Sequence, residues 1–176
     1  MTMCSELRLS CLFAVTLLLA ACVSAPKPAP VAKKPPPPAR DWVAEIRAEA
    51  ARLPSNVDVM PLRDAAVDDL RAKALAAEQA RQYAAAEANL TAALAIVPED
   101  PALWQWRAEI ALADRRFVDA AAHATHSAEL GPKVGDLCVR NWLTVAAVRQ
   151  EAKDAAGAAS ARAQAQACPV PAPIRM

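Results

Sequence analysis

Two consecutive stretches decide the fold: residues 67–100, VDDLRAKALAAEQARQYAAAEANLTAALAIVPED, and residues 101–134, PALWQWRAEIALADRRFVDAAAHATHSAELGPKV. Set one above the other, they repeat with a period of 34 residues. Arg81 aligns with Arg115, Thr91 with Thr125 and Pro98 with Pro132; Tyr83 faces Phe117, and Leu70 faces Trp104. Seven positions are identical, but four of these are alanine pairs. Twelve alanines in the first window and nine in the second produce most of those by chance, so the arginine, threonine, proline and aromatic pairs carry the repeat. Within each stretch the apolar residues recur at helical spacing, and Asp100-Pro101 supplies a capping side chain followed by proline in the first turn of a helix.

Composition agrees with helices. The 176 residues include 46 alanines and only 3 glycines, and aromatic residues supply 4%. Alanine is the best helix former and lets helices approach closely, while a sandwich or barrel needs β-branched and aromatic residues with glycine turns. Three glycines leave no phosphate-cradling loop. Residues 41–176 carry 15 basic and 18 acidic side chains, a net charge of −3, which gives no basic field for nucleic acid.

The 34-residue period resembles the tetratricopeptide repeat (TPR) family, in which paired antiparallel helices A and B stack into a solenoid. The first repeat supplies Leu70, Ala74, Tyr83, Ala86, Ala93 and Pro98 at the family's packing positions; the second supplies Trp104, Ala108, Phe117, Ala120, Ser127 and Pro132. Small residues let the paired helices close, an aromatic residue opening helix B fills the space between pairs, and proline ends helix B. Lys73 and Arg107 stand where the family usually has leucine, and Ala77 and Ala111 where it usually has tyrosine. A degenerate third pair places Trp142, Val145 and Ala146 in helix A and Ala155 and Ala158 in helix B, in a register that needs about four extra residues near 131–138. The resemblance covers 67–170 and implies an all-α, short helical-repeat solenoid of two to three helix pairs. A plain alanine-rich bundle is the alternative. Asp41 reads as the cap of a further helix through Leu53, with Trp42, Ile46, Ala50 and Leu53 at helical spacing, expected to cap the repeats. Residues 54–63, bounded by Pro54 and Pro61, read as a loop.

The first 21 residues read as an export signal. Arg8 precedes an apolar run from Leu9 to Ala21, too short to span a membrane. The run ends in Leu19-Ala20-Ala21-Cys22, which resembles the lipobox of bacterial lipoproteins. That resemblance implies cleavage before Cys22, a diacylglycerol thioether on its sulfur and an acylated amine, a multiple-chain anchor that holds stably where one chain does not. No aspartate follows Cys22, which by the family's sorting rule implies the outer membrane, facing the periplasm. Residues 22–40 hold 7 prolines and 4 bases without an acid, a semi-rigid polyproline tether. Residues 171–176 read as a tail.

Cys4 and Cys11 lie in the signal and Cys22 takes the lipid, which leaves Cys138 and Cys168. The repeat register puts Cys138 at the start of the third helix A and Cys168 at the end of its helix B. Antiparallel helices bring those ends together, and a disulfide there is expected to contribute roughly 3–4 kcal/mol.

Catalytic motifs are absent: there is no Gly-x-Ser-x-Gly elbow and no Cys-x-x-Cys. His123 and His126, one helical turn apart, offer half of a metal site or a solvated polar face; the register puts them on the outer side of helix B. In the tetratricopeptide family, ligands are held by helix A positions that correspond here to Arg71, Glu78, Gln105, Glu109, Arg140 and Gln150. Their mixed charge suits a protein or peptide. The expected function is a membrane-anchored, non-enzymatic protein-interaction scaffold with no cofactor and no small-molecule substrate. The alternatives are an outer-membrane assembly or pilotin-like lipoprotein, and an envelope enzyme or metal-binding protein that uses His123 and His126.

Overall fold

The computed structural model describes residues 40–52 and 64–169. The signal segment, Cys22, the proline-rich tether, the loop expected at 54–63 and the tail at 171–176 lie outside the described residues. Among the described residues there are seven helices and no strand: α1 (Trp42–Ala50), α2 (Ala65–Gln79), α3 (Tyr83–Ile96), α4 (Pro101–Ala113), α5 (Phe117–Leu130), α6 (Gly135–Glu151) and α7 (Ala155–Ala167). The described residues are therefore all-α, as the alanine-rich periodicity predicts.

Aspartate starts four of these helices. Asp41, Asp64, Asp100 and Asp154 each accept a hydrogen bond from a backbone N–H of the first turn, at 2.7–3.0 Å for the shortest in each case. Helices α3, α5 and α7 follow directly on tight turns, the first two with no side-chain cap. Those turns share one geometry. Arg81, Arg115 and Lys153 adopt left-handed backbone angles, with φ of 56°, 60° and 60°. The next residue's N–H reaches back to the preceding helix in every case, Gln82 to Ala77 O, Arg116 to Ala111 O and Asp154 to Arg149 O, at 2.8–2.9 Å. The turns recur after 34 and then 38 residues. Helix α6 absorbs the difference: it has 17 residues where α4 has 13.

Three hairpins result, α2/α3, α4/α5 and α6/α7, and they stack so that α3 packs on α4 and α5 on α6, with α4 also touching α6. The close contacts fall on small residues: Ala74, Ala86, Ala93, Ala108, Ala120, Ala124 and Ser127 are all fully buried. Ser127 Oγ donates to Pro101 O at 2.7 Å, which ties the end of α5 to the start of α4. Tyr83, Trp104, Phe117 and Trp142 are half-buried and pack at the edges of two apolar clusters. Cys138 and Cys168 are joined by a disulfide with a Cα–Cα distance of 5.7 Å, which links the first turn of α6 to the end of α7.

Helix α1 ends at Ala50, with Ala51 and Arg52 in a turn, short of the expected Leu53. It lies against α6 and α4. Val43, Ile46 and Ala50 are its buried residues, and they share one core cluster with Val139, Leu143 and Ala147 of α6. It thus joins the first helices of the second and third hairpins.

The left-handed turns yield a prediction. A side chain with a Cβ is strained there, and glycine is not. Lys153→Gly is expected to raise stability by about 0.5–1 kcal/mol in urea denaturation, and Lys153→Val to lower it by a similar amount. The reverse order would contradict the turn geometry.

Candidate functional site

Helices α2, α4 and α6 are the first helices of the three hairpins, and their polar residues meet on one face. On α2, Glu78 is mostly buried, and its Oε2 accepts from Trp106 Nε1 of α4 at 2.7 Å. The Arg71 guanidinium sits 5.6 Å from the centre of the same indole ring, a cation–π distance. On α4, Gln105 and Glu109 are 0% exposed. Gln105 Nε2 donates to Glu109 Oε1 at 3.1 Å and to Thr144 Oγ1 of α6 at 2.9 Å. Arg140 Nε of α6 donates to Glu109 Oε1 at 2.7 Å.

The remaining partner comes from outside the repeats. Arg47 of α1 donates from Nε to Glu109 Oε2 at 2.7 Å, and its Nη1 lies 2.9 Å from Glu78 Oε1. A single guanidinium therefore bridges a carboxylate on α2 and another on α4, using the two-sided fork that lysine lacks. Trp42 Nε1 donates to Glu151 Oε1 at 2.8 Å and fixes the other end of α1 on α6.

The electrostatics follow from this geometry. Burial opposes a charge on Glu109, but the guanidiniums of Arg140 and Arg47 outweigh it and hold the carboxyl below its ordinary range. Burial likewise opposes the charge on Arg47, and Glu109 and Glu78 raise its pKa in spite of it.

The structure thus brings together five of the six residues picked out by the repeat register: Arg71, Glu78, Gln105, Glu109 and Arg140. Gln150 stands apart. It is exposed near the end of α6, where its Oε1 accepts from Arg162 of α7. Gln105 and Glu109, expected to line an open groove, are instead covered, and Glu109 is covered by α1. Sequence reading missed Arg47 because α1 belongs to no repeat and so has no register. The available signal was an arginine directly after Ile46 on a helix whose apolar face is Val43, Ile46 and Ala50. On the α2 side of the face, Arg71 and Trp106 are both half-buried.

His123 and His126 lie elsewhere, on α5 against Trp104. The ring centroids are 5.5 Å and 4.6 Å from that of the indole, the second in an edge-on arrangement. Both histidines are half-buried rather than freely solvated, and burial together with nearby Arg107 lowers the pKa of His123. Arg107 also stacks 5.1 Å from the centre of the Trp104 ring and donates from Nε to Glu87 Oε1 at 2.7 Å. Among the described residues, no group of three or more His, Cys, Asp or Glu side chains converges as a metal site.

No family model matches the chain, and no curated protein matches it. Among solved structures, the globular C-terminal domain of P. aeruginosa LpoP is similar, with a TM-score of 0.55 and 26% sequence identity over 60% of this chain and 99% of that one. This chain therefore contains a helical-repeat domain with the fold of a bacterial protein's globular C-terminal domain.

Glu109 gives the test of this site. Glu109→Gln leaves two arginines facing a neutral amide, and the expected loss of stability is about 2–3 kcal/mol; Arg47 and Arg140 keep some solvent, which places the loss at or below the low end of values for fully buried pairs. A depressed folded pKa contributes stability that is present above the ordinary glutamate value, about 4.3, and is lost as pH falls through the folded value. Urea denaturation of the unaltered chain should accordingly show an acid limb that is shallower in Glu109→Gln. Equal limbs would contradict the assignment.

Proposed function

We propose that this chain is a non-enzymatic scaffold of the bacterial envelope, lipid-anchored through Cys22 and presenting a tetratricopeptide-like face to a protein partner. The observation that carries this reading is the row of partly exposed side chains Arg71, Trp106, Glu78 and Arg140 across three successive first helices, above the buried Glu109. Side chains of both signs, backed by a tryptophan, suit a peptide or protein of mixed charge better than a polyanion. The recurrence of one turn geometry at Arg81, Arg115 and Lys153 supports the repeat reading.

The fold shared with the globular C-terminal domain of LpoP supports a role in the envelope. The Leu19-Ala20-Ala21-Cys22 motif and the proline-rich segment behind it supply the anchor and the spacer. Among the described residues no helix is long and apolar enough to cross a membrane, so in this reading the attachment is made by the lipid. By the sorting rule applied to Val23 and Ser24, the membrane is the outer one, with the domain in the periplasm.

Site-specific photo-crosslinking in intact cells tests the proposal. A crosslinker at position 71, on the α2 side of the face, should give a discrete protein adduct several-fold stronger than one at Val118, which is 83% exposed on α5. Equal or absent labelling at the two positions would count against a binding role for this face.

A further inference from the structure

The three left-handed turns lie at one edge of the stack, where each first helix turns into its second. Each carries a base in the strained position: Arg81, Arg115 and Lys153. Glycine is less strained at all three, so the bases are kept there at a cost to stability. All three are exposed. Arg115 rests 5.4 Å from the centre of the Phe117 ring and 3.9 Å from Glu151, with its side chain 67% exposed. Among the described residues, neither Arg81 nor Lys153 has an ion-pair partner. The acids of this edge are already engaged: Asp114 lies 3.0 Å from Arg116, Asp154 caps α7, and Glu151 accepts from Trp42. The opposite edge has the other sign. Asp64, Glu99, Asp100, Glu129 and Asp136 stand there, and the ammonium of Lys133 is turned onto the carbonyls of Ala128 and Glu129. The domain is thus polarised along its helix axes, with bases at one edge and acids at the other.

The chain enters the domain at the basic edge. Arg40 is the first described residue, and Trp42 is bonded to Glu151, two positions before Lys153. Seventeen residues separate Cys22 from Arg40; they add three lysines and no acid, and in polyproline form reach about 50 Å. We infer that this edge docks on the anionic headgroups of the membrane that holds the lipid anchor, with Arg81, Arg115 and Lys153 as its contacts. The inference rests on the anchor at Cys22, which belongs to the proposed function. Each base brought to an anionic surface favours docking by about fivefold, and the attraction acts within about 10 Å at physiological salt. The tether confines the domain near that surface, so an attraction too weak to recruit a free protein is enough. A membrane is favoured over a soluble polyanion because the chain's own anchor delivers this edge to it. In the docked domain α2, α4 and α6 run along the membrane normal, and the face that holds Arg71 and Arg140 is presented sideways rather than down onto the lipid.

The test uses the mature, lipidated chain in vesicles of phosphatidylethanolamine with one quarter phosphatidylglycerol, which carry an energy-transfer acceptor on a headgroup. A donor is attached through Gln82→Cys on the basic edge or through Glu99→Cys on the acidic edge. Transfer from position 82 is expected to be at least threefold that from position 99. The two should become equal in half-molar salt and in phosphatidylcholine vesicles. Combining Arg81→Gln, Arg115→Gln and Lys153→Gln should lower the docked-to-undocked ratio at least tenfold, whereas Arg81→Lys with Arg115→Lys should leave it unchanged. Equal transfer from the two positions in anionic vesicles, or transfer indifferent to salt and lipid charge, overturns the inference. Both outcomes are read with the three bases intact, so they stand even if the triple variant fails to fold. Binding to purified cell-wall sacculi that the triple variant loses, without vesicle docking, would assign the edge to the wall polymer and likewise overturn it. Flotation with phosphatidylcholine vesicles reports the anchor separately. Its failure rejects the anchor and the inference with it; flotation without salt-sensitive transfer rejects the docking edge alone.

Discussion

The carboxylate of Glu109, fully buried between Arg140 and Arg47, is the constraint on which the arrangement of α1, α4 and α6 depends. An unpaired charge at that depth costs several kcal/mol, so the chain must bring cations to it. One comes from the neighbouring repeat. The other comes from a helix outside the repeats and more than sixty positions earlier in sequence. Gln105 completes the shell and ties it to Thr144. The cost of burying the ion explains why α1 is specifically placed.

The rest of the fold answers to a different economy. A core made largely of alanine removes little apolar area per residue, so the helices must approach closely, and fully buried alanines mark the contacts between paired helices. Among the scarce large side chains, Leu90, Leu103 and Ile110 are buried inside one cluster and Leu112 and Leu143 inside the other, while Tyr83, Trp104, Phe117 and Trp142 pack at their edges. The disulfide closes the last of the three described hairpins.

Much of this was legible in the residues. Helix type, the capping aspartates Asp41 and Asp100, the 34-residue spacing and the small-residue contacts all follow from local pattern. The face on α2, α4 and α6 followed from the register, which placed Arg71, Glu78, Gln105, Glu109 and Arg140 together. Two things did not follow. The position of α1 depends on long-range pairing between Arg47 and two glutamates, and a nine-residue helix outside the repeats carries no periodic signal for its docking site. The surroundings of His123 and His126 depend on the reach of Trp104 across the hairpin, which makes two nominally outward positions half-buried. Gln150 shows the converse: the register placed it on the face, but the end of α6 carries it away toward α7.

The central claim is that Arg47 and Glu109 are energetically coupled across the face. A double-mutant cycle measures this directly, with Arg47→Ala, Glu109→Gln and the combined variant compared by urea denaturation. The predicted coupling is about 1.5 kcal/mol or more, because either single change removes the same partly buried interaction. Additive losses, with a coupling within about 0.3 kcal/mol of zero, would contradict the account.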